Sequence, residues 1–147
     1  MSFFRRSDPM LLDELPLSLR VEVAGRRAAA IISAGAPLPA VWEDRFTMVD
    51  PSQREIPLQL LVGEGEMVRQ NRRIGKLVIQ EVPPPGRFHP VIDVQLTVQR
   101  DGSITLEASV AGVNLPVRSR LKKPDAYFGP VAVRRIKERV VRPEGMS

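Results

Sequence analysis

Hydrophobic residues recur at every second position along most of this chain, and that spacing constrains its fold more than any other feature. The clearest runs lie at residues 17–23, 56–62, 92–98 and 104–110, with weaker ones at 27–32, 43–49 and 74–80. A period of two places the apolar side chains of a strand on one face, which must then be buried. These segments, separated by Gly and Pro, predict an all-β fold: an antiparallel β-sandwich of about seven to eight short strands.

Glycine and proline indicate where these strands turn or end. Asp101-Gly102 joins two of the runs and is typical of a tight hairpin, because glycine tolerates positive φ. Pro57 interrupts the run at 56–62 and has no N–H for a sheet ladder, so it predicts an edge strand or a bulge. The segment Pro-Pro-Pro-Gly at 83–86 predicts a stiff crossover and excludes a helix.

The net charge of +5 is confined to the C-terminal fifth of the chain. Residues 1–116 carry 13 Lys/Arg and 14 Asp/Glu, whereas residues 117–147 carry 9 and 3. The first of these parts has no basic stripe interleaved with aromatic side chains, which argues against a nucleic-acid partner. We interpret the tail as a charged extension in solvent, with a short helix or a final strand at 131–141.

The composition offers little for catalysis. The chain has no Cys and a single His, His89, which excludes thiolate and multi-histidine metal sites. Gly75-Lys76 lacks the preceding glycine of a phosphate loop, and Gly-Glu-Gly at 63–65 lacks the third glycine of a dinucleotide-binding turn. Carboxylate pairs at 43–44 and at 64 and 66 are typical of solvated turns. We therefore predict that the chain is not an enzyme, has no catalytic residue and binds no metal or cofactor.

The sequence also contains no membrane or export signal. No stretch approaches the ~20 apolar residues of a membrane span, and the N-terminus lacks the apolar run of a signal peptide. We expect a cytoplasmic protein with no membrane partner.

Three blocks of sequence follow one another in a fixed order between residue 11 and about residue 110. They are Leu-Leu-Asp-Glu-Leu-Pro-Leu-Ser-Leu at 11–19, Val-Gly-Glu-Gly-Glu at 62–66, and Val-Pro-Pro-Pro-Gly-Arg at 82–87. Asn71, Ile74-Gly75, Ile-Asp-Val at 92–94 and Asp101-Gly102 keep the same register. In these residues and their spacing the chain resembles the β-sandwich substrate-binding subdomain of the seventy-kilodalton heat-shock chaperones.

The resemblance implies binding of extended hydrophobic peptide segments of unfolded proteins, between loops at one end of the sandwich. It implies a central pocket lined by Leu19, Val21, Phe46, Ile56, Leu58 and Ile92. It places Ala24 and Val49 in an arch over the peptide, and Val23 and Thr47 on the strands beside it. The segment Met10, Leu11, Leu12 and Asp13 corresponds to the family's interdomain linker. The expected division is a lead and linker at 1–13, a peptide-binding sandwich at 14–117 and the basic extension at 118–147.

Four residues depart from the family pattern near the expected cleft. Arg20 stands where the family usually has glycine, and Arg26 and Arg27 replace small or aliphatic residues just after the arch. Pro57 lies between two pocket positions. Arginines there would favour acidic or neutral peptides over basic ones. The departures leave an alternative open: a β-sandwich scaffold or assembly domain with a closed cleft, whose basic tail contacts a partner protein or nucleic acid.

The family's nucleotide-binding domain and long helical lid are not expected in this chain, because few residues precede Leu11 and residues 121–147 are short and rich in proline. ATP would bind only a separate nucleotide-binding domain, a partner in a longer chain. Peptide is then expected to bind weakly and dissociate fast. The apolar patch at residues 10–12 also permits self-association.

Overall fold

Nine β-strands lie within residues 11–124 and 126–128, the part of the chain that the computed structural model describes. The strands are β1 (Leu19–Val23), β2 (Arg27–Ile32), β3 (Ala40–Thr47), β4 (Ile56–Val62), β5 (Arg72–Ile79), β6 (Val91–Val98), β7 (Ile104–Val110), β8 (Val113–Leu115) and β9 (Val117–Leu121). A short 3₁₀ turn, Val68–Gln70, lies between β4 and β5. The predicted all-β class is confirmed.

The strands form two antiparallel sheets with the core between them. The strand order is β2-β1-β4-β5-β9 in the five-stranded sheet and β3-β6-β7-β8 in the four-stranded sheet. Because alternate residues of a strand face the same side, each apolar run contributes one row of side chains to this core. Its most deeply buried members include Leu19, Leu60, Ile74, Leu77, Ile79, Ile92 and Leu96.

Pro57 lies in a strand flanked on both sides, so the predicted edge strand is wrong. β4 lies between β1 and β5, and its register shift falls between Leu60 and Leu61 rather than at Pro57. β1, however, pairs only with residues 60–62 of β4. The first half of β4 therefore pairs with β5 alone, and the missing N–H of Pro57 breaks no ladder bond to β1.

The five-stranded sheet continues beyond the boundary expected at residue 117. β9 pairs with β5 from Val117 opposite Ile79 to Leu121 opposite Gly75. Gly75 has a φ of +130°, and a Cβ at this position would collide with the carbonyl oxygen of Arg120, so glycine permits the close approach of β9. Residues 118–121 of the predicted extension are therefore part of the sandwich.

Tyr127 and Phe128 close the core at the end where β6 turns into β7. Both side chains are buried, and their rings meet edge to face with centroids 4.6 Å apart. The Tyr127 hydroxyl donates to the carbonyl oxygen of Gly102 at 3.2 Å. At these two positions the expectation of a solvated extension is wrong, because the aromatic rings pack in the core. The helix or strand predicted at 131–141 lies outside the described residues.

The linker-like segment packs against the same end of the sandwich. Leu12 and Leu15 are buried, and the Leu12 amide donates to the carbonyl oxygen of Arg100 at 2.8 Å. The Arg100 guanidinium also pairs with the Asp13 carboxylate at 2.9 Å. Leu11 is exposed, and Met10 lies outside the described residues.

Candidate functional site

Four connections converge at the end of the sandwich opposite Tyr127 and Phe128. In the five-stranded sheet, the pairing of Val21 with Leu60 sets the end of β1 beside the beginning of β4. In the four-stranded sheet, the beginning of β6 lies beside the ends of β3 and β7. The β1–β2 turn (24–26), the β3–β4 loop (48–55), the β5–β6 loop (80–90) and the β7–β8 turn (111–112) thus share one end, which we call the loop end.

The six residues predicted to line a pocket lie inside the core. The sheet pairings place four of them, Phe46, Ile56, Leu58 and Ile92, in the half of the sandwich nearer the loop end. All six belong to or pack against one hydrophobic cluster: Leu19, Val21, Phe46, Ile56, Leu58 and Ile92. Phe46 is half-buried, and the other five are buried. The structure thus brings these side chains together as an aliphatic floor, with little of their surface open to solvent.

The four residues predicted for the arch and its flanks are exposed. Val23 and Val49 have 42% and 66% of their surface exposed, and Ala24 and Thr47 are exposed as well. Val23 and Ala24 lie at the β1–β2 turn, whereas Thr47 and Val49 lie at the β3–β4 loop. The loop end therefore presents small aliphatic groups from two separate connections.

Three further exposed apolar residues of the loop end were not predicted. Phe88 in the β5–β6 loop is 80% exposed, Val91 at the start of β6 is 41% exposed, and Val113 at the start of β8 is 66% exposed. Val91 directly precedes the first inward residue of its run, and Phe88 follows the proline segment. The sequence carried no signal for the exposure of Phe88, because phenylalanine is ordinarily expected in the core.

Hydrogen bonds join the β3–β4 loop to the β5–β6 loop. The Met48 amide donates to the carbonyl oxygen of Pro90 at 2.9 Å, and His89 Nδ1 lies 3.1 Å from the carbonyl oxygen of Met48. Farther along, the Val82 amide donates to the carbonyl oxygen of Arg54 at 3.0 Å. These bonds hold the backbone on both sides of Val49, so the exposure of its side chain is built into the loop.

Arg20 does not face the loop end as a free charge. Its Nε donates to the carbonyl oxygen of Gly63 and its Nη1 to that of Ala28, each at 2.8 Å. The guanidinium thus joins the beginning of β2 to the end of β4 across β1. These bonds give Arg20 a structural role and direct its guanidinium towards the beginning of β2 and the β4–β5 connection.

The Gly-Glu-Gly-Glu segment after β4 is fixed by side chains from distant positions. Ser18 donates its N–H and its hydroxyl to the Glu64 carboxylate at 2.9 and 2.7 Å. These bonds favour the charged carboxylate and lower the pKa of Glu64. Asn71 donates its side-chain amide to the carbonyl oxygens of Met67 and Gly65 at 2.7 and 3.0 Å. The β4–β5 connection is therefore held against the outer face of β1 and β2.

Two kinds of feature are absent from the described residues, metal-ligand groups and membrane-spanning helices. No group of three or more His, Asp or Glu side chains in them could hold a metal ion. No helix among them is long and apolar enough to cross a membrane.

Comparison with known proteins identifies the family. The chain matches the family model described as Hsp70 protein over residues 2–125. It is 32% identical over 105 residues to the heat shock cognate HSP70 protein of Trypanosoma brucei brucei, an alignment that covers 71% of this chain and 16% of that relative. The chain thus corresponds to about one sixth of the relative's length. Because the family match extends over most of the residues, including the whole sandwich, the chain belongs to the Hsp70 family.

Proposed function

We propose that this chain binds extended hydrophobic segments of unfolded proteins at the loop end, as a chaperone module without catalytic activity. The observation that carries the proposal is the divergence of β1 from β4. Their pairing stops at Val21 and Leu60, so the two strands reach the loop end without ladder bonds between them. Val23, two residues beyond the last pairing of β1 with β4, is exposed, and so is Val49 in the β3–β4 loop at the same end of the sandwich. Membership of the Hsp70 family supports a chaperone-type role.

The divergence suits an extended peptide. Residues 56–59 of β4 pair only with β5, and Glu22 and Val23 of β1 pair only with β2. A peptide strand at this place can exchange backbone hydrogen bonds with the adjoining loops while a side chain points to the aliphatic floor. Burying one leucine there contributes roughly 1.5–3 kcal/mol. Binding at ~1 μM requires about 8 kcal/mol, so backbone hydrogen bonds have to supply much of the remainder.

The remaining elements of a chaperone cycle are proposed for other parts of a longer chain. ATP would bind a separate nucleotide-binding domain, and this chain would need no cofactor for peptide binding. The segment 11–13 would connect the two domains, and its contacts with Arg100 would tie domain movement to the sandwich. A cytoplasmic location fits this role.

One observation favours a second candidate function, a scaffold domain with a closed cleft. The floor residues are buried, so peptide binding requires the loops to separate: Leu19, Val21, Ile56, Leu58 and Ile92. If the loops do not separate, the exposed side chains of Val23 and Val49 would instead contact a folded partner protein.

Fluorescence anisotropy with a labelled leucine-rich heptapeptide tests the proposal. Val49→Asp places a charge at the loop end, and Val41→Asp is the matched control, because Val41 is 52% exposed near the other end of β3. We expect micromolar binding by the unmodified chain, at least about tenfold weaker binding by Val49→Asp, and a less than about twofold change in the control. Equal effects of the two substitutions would locate the binding elsewhere. Absence of binding by the unmodified chain would favour the scaffold.

A further inference from the structure

A basic cavity lies on the outer face of the five-stranded sheet, between the β1–β2 turn at the loop end and the β4–β5 connection. It encloses about 680 Å³ and is lined by Arg26, Arg69, Arg73 and Glu22, with Met67 and Val68 in its wall. A volume of this size accommodates several side chains of a ligand. Arg26 is two residues from Ala24, so their Cα atoms are within about 7 Å of each other.

The cavity carries uncompensated positive charge. Arg73 pairs with Glu22 at 3.3 Å, which neutralises one of the three guanidinium groups. No acidic side chain among residues 11–124 and 126–128 forms an ion pair with Arg26 or Arg69. Glu66, the other nearby carboxylate, lines a separate depression with Arg27, Val23 and Ala24. Two cations therefore face this cavity without a counter-charge from the described residues.

The backbone holds the two cationic segments together. The Val68 amide donates to the carbonyl oxygen of Arg26 at 3.0 Å, and the Ala28 amide donates to that of Glu66 at 2.8 Å. Arg69 follows Val68 in the 3₁₀ turn, so its position relative to Arg26 is set by these bonds. The cavity is thus built from two connections with a fixed relation to each other.

Arg26 also occupies a backbone conformation that glycine adopts more readily. Its φ is +59°, in the left-handed region, and it follows Gly25 at +84°. An L side chain in this region costs free energy, and such outliers are concentrated at functional sites. Arg26 thus places a positive charge at a position of the turn where glycine would be more stable.

From these observations we infer that the cavity is a subsite for an acidic side chain of the bound peptide, so that the chain selects hydrophobic segments with an Asp or Glu nearby. The inference rests on the proposed peptide binding at the loop end and specifies its substrate class. An extended peptide advances about 3.3 Å per residue, so a carboxylate two or three residues from the central leucine lies about 7–10 Å from it, and the proposal requires Arg26 and Arg69 to be within that reach. Arginine is suited to this task because its planar group binds both oxygens of a carboxylate.

Three labelled peptides with one leucine-rich centre and flanks of Asp, Ser or Lys provide the test. Anisotropy titrations at low and at physiological salt give a Kd for each. We expect the Asp-flanked peptide to bind about five- to tenfold more tightly than the Lys-flanked peptide, with the ratio falling as salt rises. The double variant Arg26→Gly and Arg69→Gln should bring the ratio to within about twofold of unity.

Arg120→Gln is the matched control, since it removes the same charge from an exposed arginine in β9, on the opposite edge of the sheet from β2. It should leave the preference for acidic flanks intact. Equal affinities for the three peptides, or a preference that persists in the double variant, would overturn the inference and leave the proposed function standing. The Ser-flanked peptide distinguishes failure of this inference from failure of the proposed function. If it did not bind, the proposed peptide binding at the loop end would itself be rejected. A short single-stranded oligonucleotide provides a competitor. If it displaced the Asp-flanked peptide, and if its own binding required Arg26 and Arg69, the cavity would be assigned to nucleic acid instead.

Discussion

Substitution of Phe128 by alanine tests whether the basic C-terminal segment is part of the folded core. Phe128 is completely buried, and it packs edge to face on Tyr127 with ring centroids 4.6 Å apart. Its ring also approaches the β6–β7 turn, because a Cβ at Gly102 would lie 3.4 Å from Phe128 Cδ2. We expect Phe128→Ala to lower the free energy of unfolding strongly while the chain stays folded at room temperature.

The magnitude follows from the burial and the ring contact. Removing a fully buried phenylalanine costs about 3–5 kcal/mol, a range that includes the cavity left behind. The edge-to-face contact with Tyr127 accounts for about 0.5–1.5 kcal/mol of that loss. Domains of this size have unfolding free energies of about 5–15 kcal/mol, so a loss near 4 kcal/mol leaves a folded population. At roughly 2–4 °C per kcal/mol, the melting temperature should fall by on the order of 10 °C.

Urea denaturation followed by the fluorescence of Trp42, the only tryptophan of the chain, measures this loss. Phe88→Ala is the matched control, because the same ring is removed from a side chain that is 80% exposed. The control should change the free energy of unfolding by less than about 0.5 kcal/mol. If the two variants lost equal stability, the placement of Phe128 in the core, and with it the inclusion of residues 118–128 in the sandwich, would be wrong.

Three further changes probe the polar contacts. The hydrogen bonds from Ser18 lower the pKa of Glu64, so the stability that the charged carboxylate contributes is present above about pH 4.5 and is lost as the pH falls further. Glu64→Gln should therefore make the free energy of unfolding less dependent on pH in acid. An unchanged acid unfolding profile would contradict this. Burial and the Asp101 charge raise the pKa of Tyr127, the single tyrosine, to about 12, so stability should fall as the pH rises from about 10 through 12; Tyr127→Phe should flatten this alkaline loss, and an ultraviolet titration midpoint near 10 would refute the shift. Arg20→Met should lower the free energy of unfolding by about 2 kcal/mol, because two carbonyl oxygens lose a charged donor; a change below about 0.5 kcal/mol would exclude a structural role.

Strand positions could be predicted best where the inward residues of a strand are buried. β4 and β7 coincide with the runs predicted at 56–62 and 104–110, and β2 coincides with the weaker run at 27–32 although Ala30 is exposed. β9 was missed although it alternates, because Arg118 and Arg120 stand between residues that are only half-buried or exposed. The two faces of β9 therefore differ little in burial. Edge strands commonly carry charged side chains, which hinder pairing with other chains. β8, with three residues, is too short to show any period.

The burial of Tyr127 and Phe128 could not be predicted from their neighbours in sequence. Their partners, Gly102 and the core behind it, are about 25 positions away, and only the return of β9 along β5 brings them together. The available signal was the pair of adjacent aromatic residues itself, in a chain with only 5% aromatic residues. Large aromatic side chains contribute much buried area, so two of them in a charged segment indicate an anchor to the core.

The predicted pocket illustrates a different limit. Alternation correctly marks Val21, Ile56 and Ile92 as buried, but it marks Val94 and Leu106 in the same way. Which buried residues form the floor of a site depends on where neighbouring strands stop pairing. That property is set by the ends of β1 and β4, and it has no counterpart in the hydrophobic pattern.

The arginines near the cleft show why nearness in sequence does not define a charge's role. Arg20 and Arg26 are six positions apart, and both depart from the family pattern. The Arg20 side chain donates to two carbonyl oxygens, those of Gly63 and Ala28, whereas Arg26 lies at the tip of the turn where no described acidic group pairs with it. Arg69, which sequence reasoning did not connect with the cleft, joins Arg26 through the bond from Val68 to the turn. The proposed selection of acidic peptides therefore depends on the contact between two loops, whereas Arg20 bonds to the strands that carry them.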